Sequence, residues 1–243
     1  SLGLAIGTCD AGSGELLSKD AAKRRKALSA LKKDLSAIAK NGGHTYFTVL
    51  GPDDPTMKRA ETFEVFKKVY PQVMAHAEKL GVNIAIEPWP GGAPYYGNLG
   101  CTPESLRRIF EVCPSPNLGI CYDPSHFLRI QVDYIRLLSE FGDRVRHVHL
   151  KDTEIIEEKL YESGILGESY SNTYVCGEGW WRYTIPGEGQ VDWQQVIRRL
   201  EECGYDGVLS VELEDHHFWQ TPELQQEGLV RSKEYIEQFL KGR

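Results

Sequence analysis

The sequence has no run of 18 apolar residues and no cysteine pair in a C-x-x-C arrangement. A transmembrane helix needs about 20 consecutive apolar residues, so no membrane-spanning helix is predicted. Thiolate zinc sites need closely spaced cysteines, and the six cysteines here, at 9, 101, 113, 121, 176 and 203, are scattered along the chain. A reduced cytoplasmic protein is the simplest interpretation, although an even number of cysteines leaves disulfides open.

Basic charge is also scarce, since the net charge is −7 at pH 7 and the isoelectric point is about 5.6. A protein that holds a nucleic-acid backbone needs a basic face. The most basic stretch, 23–26 with Lys32 and Lys33, is interpreted as the solvated face of a helix. We therefore predict a small-molecule partner, not a nucleic acid or a membrane, and a homo-oligomer is compatible with the sequence.

No linker-like composition, low-complexity tract, internal repeat or secretory signal pattern is visible. These absences predict a single cytoplasmic domain over residues 1–243. At this length one large α/β domain is expected, because parallel α/β barrels run to about 250 residues as one unit. The first residue is Ser1, not Met, which suggests a processed, trimmed or incomplete N-terminus.

The chain does contain a regular alternation of short apolar runs with longer helical patterns. Such alternation predicts βαβ units and a parallel sheet. It gives six strand–helix units, whereas a closed barrel needs eight, so either two N-terminal units are absent from this chain or the sheet is open. The predicted strands are 2–8, 45–50, 83–87, 118–122, 145–150 and 207–212, and the predicted helices are 18–40, 57–80, 103–112, 133–141, 192–203 and 222–240.

Four of the strands end in residues that can bind a metal: Glu87, Asp123, His149 and Glu212. The ligand crevice of a parallel α/β fold lies at the carboxyl ends of its strands, so these residues are expected on one rim. A helix cap or an ion pair would explain any single carboxylate equally well, but four such positions indicate a metal site. This mixed O/N set suits Mn²⁺, Co²⁺ or Mg²⁺, with Zn²⁺ as an alternative.

The segments around these four residues resemble the signature strands of the xylose-isomerase-like superfamily, which includes ketose 3-epimerases, hydroxypyruvate isomerase, and inosose isomerases and dehydratases. The resemblance covers residues 2–240 and implies a (β/α)8 TIM barrel whose last four strands carry the ligands. The six units would then be the third to the eighth, with the first two absent. The segments are Ile86-Glu87-Pro88, Asp123-Pro124-Ser125-His126, His147-Val148-His149-Leu150-Lys151-Asp152 and Ser210-Val211-Glu212.

The same resemblance implies an activity and a role for each residue. One divalent metal ion, with Mn²⁺ preferred, would be bound by Glu87, Asp123, His149 and Glu212. The two glutamates would also act as catalytic acid and base, and His126 would contact the substrate. The implied enzyme is a sugar isomerase or epimerase that removes a proton next to a carbonyl and proceeds through a cis-enediolate.

Three further charged or polar residues lie beside the predicted ligands. His147 and His149 are two apart on one strand and point the same way, so His149, nearer the rim, is taken as the ligand and His147 as a buried, hydrogen-bonded histidine. By the same alternation Glu214 is interpreted as a rim or ion-pair residue. Lys151 either neutralises a developing oxyanion beside the substrate or forms a surface or ion-pair contact.

The segment 153–191 is long for a βα connection, which usually has about two to six residues. We predict a lid-like insertion whose Trp181 and Arg182 contact the substrate; the alternative is that Trp180 and Trp181 fill the side of the barrel or a subunit contact. Trp89 is also predicted to bind substrate, and together these aromatic residues suggest an aromatic opening to the site. Such an opening favours a substrate bulkier than a free triose. The main alternative function is therefore that of the C-glycoside-cleaving or 3-keto-glycoside-processing enzymes of the superfamily.

Two other classes of function share part of this pattern. Endonuclease IV shares the barrel and a similar ligand series, with three zinc ions acting on abasic DNA, but its additional Asp-x-His pair is lacking because no histidine lies between His149 and His216. A catalytically silent metal or sugar binder stays open, since both glutamates would be retained in either case.

Overall fold

The computed structural model describes residues 6–10, 14–167, 170 and 177–240. The chain divides into two compact units, of which the first comprises residues 1–122 and 144–147 and the second residues 123–143 and 148–243. One strand, β4 (Val145–Leu150), contributes residues to both units. The assignment of residues 1–243 to a single barrel domain that lacks its first two strand–helix repeats stays a prediction.

The first unit consists of parallel strands that alternate with long helices. Register is fixed by pairs such as Tyr46 with Ile84 and Ile84 with Leu118. The middle strand is fully buried from Ile84 to Ile86, as expected for a strand covered on both faces. In chain order the elements are α1 (Ala21–Lys40), β1 (Thr45–Val49), α2 (Arg59–Leu80), β2 (Asn83–Glu87), α3 (Pro103–Val112) and β3 (Leu118–Tyr122).

Local sequence signals set the ends of these helices. Gly81 ends α2 in the left-handed conformation, with φ of 66°, and Val82 N–H donates to the Ala77 carbonyl over 3.0 Å. At the start of α3, the Thr102 hydroxyl accepts from Ser105 N–H, and Pro103 occupies the first turn. These caps end α2 and start α3 at the residues that the sequence predicts.

The second unit contains a parallel strand pair and a small antiparallel sheet. In the parallel pair, His149 of β4 is opposite Ser210 of β7 (Leu209–Val211). In the smaller sheet Thr153 pairs with Tyr183. In chain order the further elements are α4 (Pro124–Arg129), α5 (Tyr134–Phe141), β5 (Asp152–Ile155), α6 (Glu157–Ser163), β6 (Trp181–Thr184), α7 (Trp193–Glu202), β7 (Leu209–Val211) and α8 (Pro222–Leu240).

The structure departs from the sequence prediction at three places. The predicted strand at 2–8 is wrong over 6–8, where the structure has no strand. The backbone of the next residue, Cys9, pairs with β1 through hydrogen bonds to Thr45 and Phe47. Residues 2–5 lie outside the described residues. The short helix α4 was not predicted, although Asp123 followed by Pro124 is a typical start signal. The expected loop 153–191 contains β5, α6 and β6, while its residues 168–169 and 171–176 lie outside the described part.

The described cysteines, at 9, 101, 113, 121 and 203, are all free thiols, and Cys176 lies outside the described residues. Among the helices that the structure describes, none combines the length and apolar character needed to cross a bilayer.

Candidate metal centre

The second unit brings three of the four predicted metal ligands together. Asp123 follows β3 directly, His149 lies in β4, and Glu212 follows β7. One ligand atom from each lies within 4.8 Å of the others, and Nδ1 of His149 is 3.1 Å from Oε2 of Glu212. The pairing of β4 with β7 explains this approach, because Glu212 N–H donates to the Leu150 carbonyl and so continues the ladder beyond the strand.

Asp123 serves both as a helix cap and as a member of the cluster. Its Oδ1 accepts from the Ser125 backbone N–H over 2.9 Å and from the Ser125 hydroxyl over 2.6 Å. Its Oδ2 lies 3.2 Å from Nζ of Lys151. The side chain is fully buried, and the cap fixes its orientation. The cap explanation offered for a strand-end carboxylate therefore holds for Asp123, and its role as a metal ligand stays a prediction.

Lys151 is the cation at the centre of this cluster, and its side chain is only 1% exposed. Its Nζ lies 2.6 Å from Glu212, 2.8 Å from Glu214 and 3.2 Å from Asp123. Burial acts to lower the pKa of Lys151, but the three carboxylates raise it well above its usual value. The ion-pair interpretations of Lys151 and Glu214 are confirmed.

The chemistry of this cluster fits a divalent cation. Three carboxylates and one ammonium leave a formal charge of −2, which is costly in a mostly buried site unless a cation balances it. Oxygen ligands from Asp123 and Glu212 with a nitrogen from His149 suit Mn²⁺, Mg²⁺, Co²⁺ or Zn²⁺. These residues would be able to bind such an ion.

His126 lies beside the cluster and contacts Tyr183 of β6. Nδ1 of His126 is 2.6 Å from the Tyr183 hydroxyl, while Nε2 lies 3.4 Å from Nζ of Lys151 and 3.5 Å from Oδ2 of Asp123. The two rings meet edge to face, with centroids 5.3 Å apart. Burial raises the pKa of Tyr183, so its hydroxyl stays neutral and can donate a hydrogen bond.

Trp181 and Arg182 are held by packing and ion pairs within the second unit. Trp181 is 3% exposed, with the Arg129 guanidinium 4.2 Å from its ring centre. Nε of Arg182 lies 2.6 Å from Glu154, and its NH1 lies 3.1 Å from the fully buried Asp215. These contacts favour the packing interpretation of Trp181, and the substrate roles of both residues stay predictions.

In the first unit, Glu87 ends β2 and is 2% exposed. Trp89, two residues later, is 40% exposed, and Asn98 donates a hydrogen bond to its backbone carbonyl over 3.1 Å. His147, also in the first unit, is buried as predicted. Trp89 lines a cavity of about 280 Å³ together with Asp10, Gly14, Phe47, Val49, Gly51, Pro52 and Asn98.

The sequence pattern predicts no role for Arg129 or Tyr183. Tyr183 is two residues after Trp181, so a strand there would place both rings on one face. Arg129 is three residues after His126, which is a neighbouring position on a helix. Both signals depend on recognising β6 and α4, the elements that the sequence did not reveal.

The chain belongs to the xylose isomerase-like TIM barrel family, whose model matches residues 1–235. This result confirms the resemblance and the fold class predicted from the four strand ends.

The chain is similar to two curated proteins. An uncharacterised protein of Methanocaldococcus jannaschii is 27% identical over 70% of this chain and 46% of its own length. An inosose dehydratase of Geobacillus thermodenitrificans is 30% identical over 49% of this chain and 39% of its own length. The chain thus spans less than half the length of these relatives.

Two solved structures share the fold. The zinc-bound IolI protein matches with a TM-score of 0.70 and 19% identity, over 96% of this chain and 77% of its own. The 3-keto-D-glucoside 4-epimerase YcjR of E. coli matches with a TM-score of 0.67 and 16% identity, over 96% of this chain and 80% of its own.

Proposed function

We propose that this protein is a divalent-metal-dependent sugar isomerase or epimerase. The observation that carries the proposal is that ligand atoms of Asp123, His149 and Glu212 lie within 4.8 Å of one another, in a partly buried cluster of formal charge −2. Glu87, which ends β2 as the other predicted ligands end their strands, is proposed as the fourth ligand. The similarity to inosose dehydratase and to the zinc-bound IolI protein supports a sugar-like substrate and a metal.

When bound, the metal ion would polarise the sugar carbonyl and orient the neighbouring hydroxyl. The protein's own residues would move the proton. Glu87 or Glu212 removes the proton from the carbon next to the carbonyl, and a carboxylate returns it to the opposite face of that carbon or to the adjoining carbon. The first outcome is epimerisation and the second is isomerisation.

Lys151 and His126 would support this proton transfer. Lys151 donates to Glu212 over 2.6 Å, which orients the carboxylate. Nε2 of His126 faces the same cluster, which supports the proposal that His126 binds a substrate oxygen. Because the side chains of Lys151 and His126 are almost fully buried, their contacts are formed away from bulk water.

Solvent exchange in D₂O tests the proposed function. A panel of ketoses, inososes and 3-keto-glucosides would be incubated with the Mn²⁺-loaded protein and followed by proton NMR. We expect loss of the signal from the carbon-bound proton next to the carbonyl for at least one sugar, and no loss when Glu87→Gln and Glu212→Gln are combined. Product formation without deuterium would contradict the base role, and inertness toward the whole panel would contradict the sugar assignment.

A keto-glycoside is the second candidate substrate, because the indole of Trp89 is 40% exposed and offers an aromatic ring face to a sugar ring. The similarity to the 3-keto-D-glucoside epimerase agrees with this choice. Faster exchange of 3-keto-glucosides than of free ketoses would favour it, and the reverse order would exclude it.

A further inference from the structure

The ammonium of Lys151 is surrounded by side-chain atoms of the kinds that bind divalent metal ions. Carboxylate oxygens of Glu212, Glu214 and Asp123 lie 2.6, 2.8 and 3.2 Å from its Nζ, and Nε2 of His126 lies 3.4 Å away. All of these residues belong to the second unit. Three oxygens and one imidazole nitrogen are a donor set that suits Mn²⁺, Co²⁺ or Zn²⁺. We call the four residues around Nζ the lysine cage.

The lysine cage shares two of its carboxylates with the proposed metal centre. Asp123 and Glu212 are proposed ligands of the metal ion together with His149, whose Nδ1 lies 3.1 Å from Oε2 of Glu212. The same oxygen of Glu212 lies 2.6 Å from Nζ of Lys151. Centres that contain two metal ions hold them about 3.5–4 Å apart, close enough for one carboxylate to contact both. The ammonium therefore lies where a second ion would share ligands with the first.

A divalent ion would fit the lysine cage after a small contraction. Metal–oxygen bonds are about 2.0–2.2 Å long, so the carboxylate oxygens would move inward by about 0.5–1 Å. Glu212 and Glu214 have room for this movement, because their side chains are 30% and 33% exposed and lie beyond the end of β7. Asp123 is held in place by its hydrogen bonds from Ser125. The lysine side chain now fills the centre of the cage, and truncation of that side chain would open it.

We propose that Nζ of Lys151 takes the place of a second metal ion and so limits the centre to one. The inference rests on the proposed function in one respect, that Asp123, His149 and Glu212 bind the first ion. A lysine supplies positive charge but cannot activate a water molecule as a bound metal ion does. Two-metal centres are typical of phosphatases, nucleases and aminopeptidases, in which the ions hold the attacking and the leaving oxygen. The centre with Lys151 therefore favours proton transfer over hydrolysis.

Metal counting in Lys151→Ala tests the proposal without any substrate. The substitution removes Nζ and leaves three carboxylates around the vacated position. After reconstitution with Mn²⁺, the variant should bind about one more ion per chain than the wild type. Because the two ions would share carboxylates, their EPR spectrum should show a spin coupling that the wild-type spectrum lacks. Lys233→Ala, which removes an exposed lysine paired with Glu237 in the same unit, should keep the wild-type count.

A double variant keeps the test decisive if the extra negative charge prevents Lys151→Ala from folding. Lys151→Ala combined with Glu214→Gln removes one positive and one negative charge, so the formal charge of −2 is unchanged. The glutamine still offers an amide oxygen to an ion. The double variant should therefore also gain an ion, held at least about tenfold more weakly because one ligand has lost its charge.

The outcomes separate this proposal from the proposed function. An unchanged ion count in a folded variant, or an added ion that is not spin-coupled to the first, would overturn the role of Lys151. A wild type that binds no Mn²⁺ would contradict the proposed function alone. The gain of an ion between wild type and variant would still decide whether Lys151 takes the place of a metal.

Discussion

The ammonium of Lys151 lies 2.6 Å from Oε2 of Glu212, the residue proposed to act both as metal ligand and as proton acceptor. The same ammonium contacts Asp123 and Glu214, so one buried cation balances part of the charge of three carboxylates. A metal ion bound by Asp123, His149 and Glu212 would share this balance with the lysine. Stability and metal binding are therefore expected to be coupled through Lys151.

Lys151→Met should destabilise the metal-free protein strongly. Removing one partner of a buried ion pair leaves uncompensated charge and costs about 3–5 kcal/mol. Divalent metal should restore part of this loss, because the ion supplies the missing positive charge. Thermal unfolding with a chelator and with Mn²⁺ measures both effects.

Lys19→Met is the matched control, because its ion pair with Glu61 is exposed and 3.4 Å long. Such surface pairs contribute less than about 1 kcal/mol. An equally small loss for Lys151→Met in chelator would show that Lys151 does not hold the cluster together.

Glu87→Gln and Glu212→Gln should each lower kcat by at least about 10²-fold, the lower range for a general acid–base group. The amide oxygen of glutamine can still bind a metal, but it no longer accepts a proton at the reacting carbon. Glu104→Gln, at an exposed position in the first turn of α3, should leave kcat unchanged. The measurement is initial rate at saturating sugar, and wild-type rates in both site variants would remove the catalytic roles.

Trp181→Ala should lower the free energy of unfolding by about 3–5 kcal/mol, the usual loss for a buried aromatic side chain. Its ring is 3% exposed and contacts Arg129 and Tyr183, so truncation opens a cavity. Trp89→Ala removes a 40% exposed indole and should cost far less. Urea unfolding of the two variants compares them directly, and a small loss for Trp181→Ala would restore its interpretation as a mobile lid residue.

His216 should make stability depend on pH near neutrality. Burial lowers its pKa below the ordinary 6.5, and repulsion from His217 and Arg182 lowers it further. The unfolded chain takes up a proton as the pH falls through about 6.5, before the folded protein does, so stability is fully present above about pH 6.5 and is lost between that pH and the lowered pKa of the folded state. Urea unfolding between about pH 7.5 and 5.5 should show a weaker decline for His216→Gln, and identical profiles would contradict the shift.

The strand ends were predictable because they depend on short-range signals. Apolar runs bounded by turn residues predict β1 to β4, and position along β4, with His149 nearer the carboxyl end, distinguishes His149 from His147. The central role of Lys151 was only one of two interpretations, since its three carboxylate partners come from distant parts of the chain. Spacing alone cannot tell a lysine aimed at a substrate from one bound by neighbours.

The inserted segment was the least predictable part of the site. The sheet formed by β5 and β6 has four residues in each strand, too few for a clear alternation pattern. Its position depends on tertiary contacts such as the Arg182 ion pairs with Glu154 and Asp215. The contact between Tyr183 and His126 spans 57 residues of sequence, and no local pattern predicts it.

Metal content is the most direct test of the central claim, that Glu87, Asp123, His149 and Glu212 form one divalent metal site. Elemental analysis of the purified protein, dialysed and then reconstituted with Mn²⁺, should give about one ion per chain, and His149→Ala, which removes a single nitrogen ligand, should abolish it. His76→Ala, far along the sequence on α2, should retain the ion. Retention of the ion by His149→Ala, or two or three tightly bound zinc ions per wild-type chain, would contradict the account.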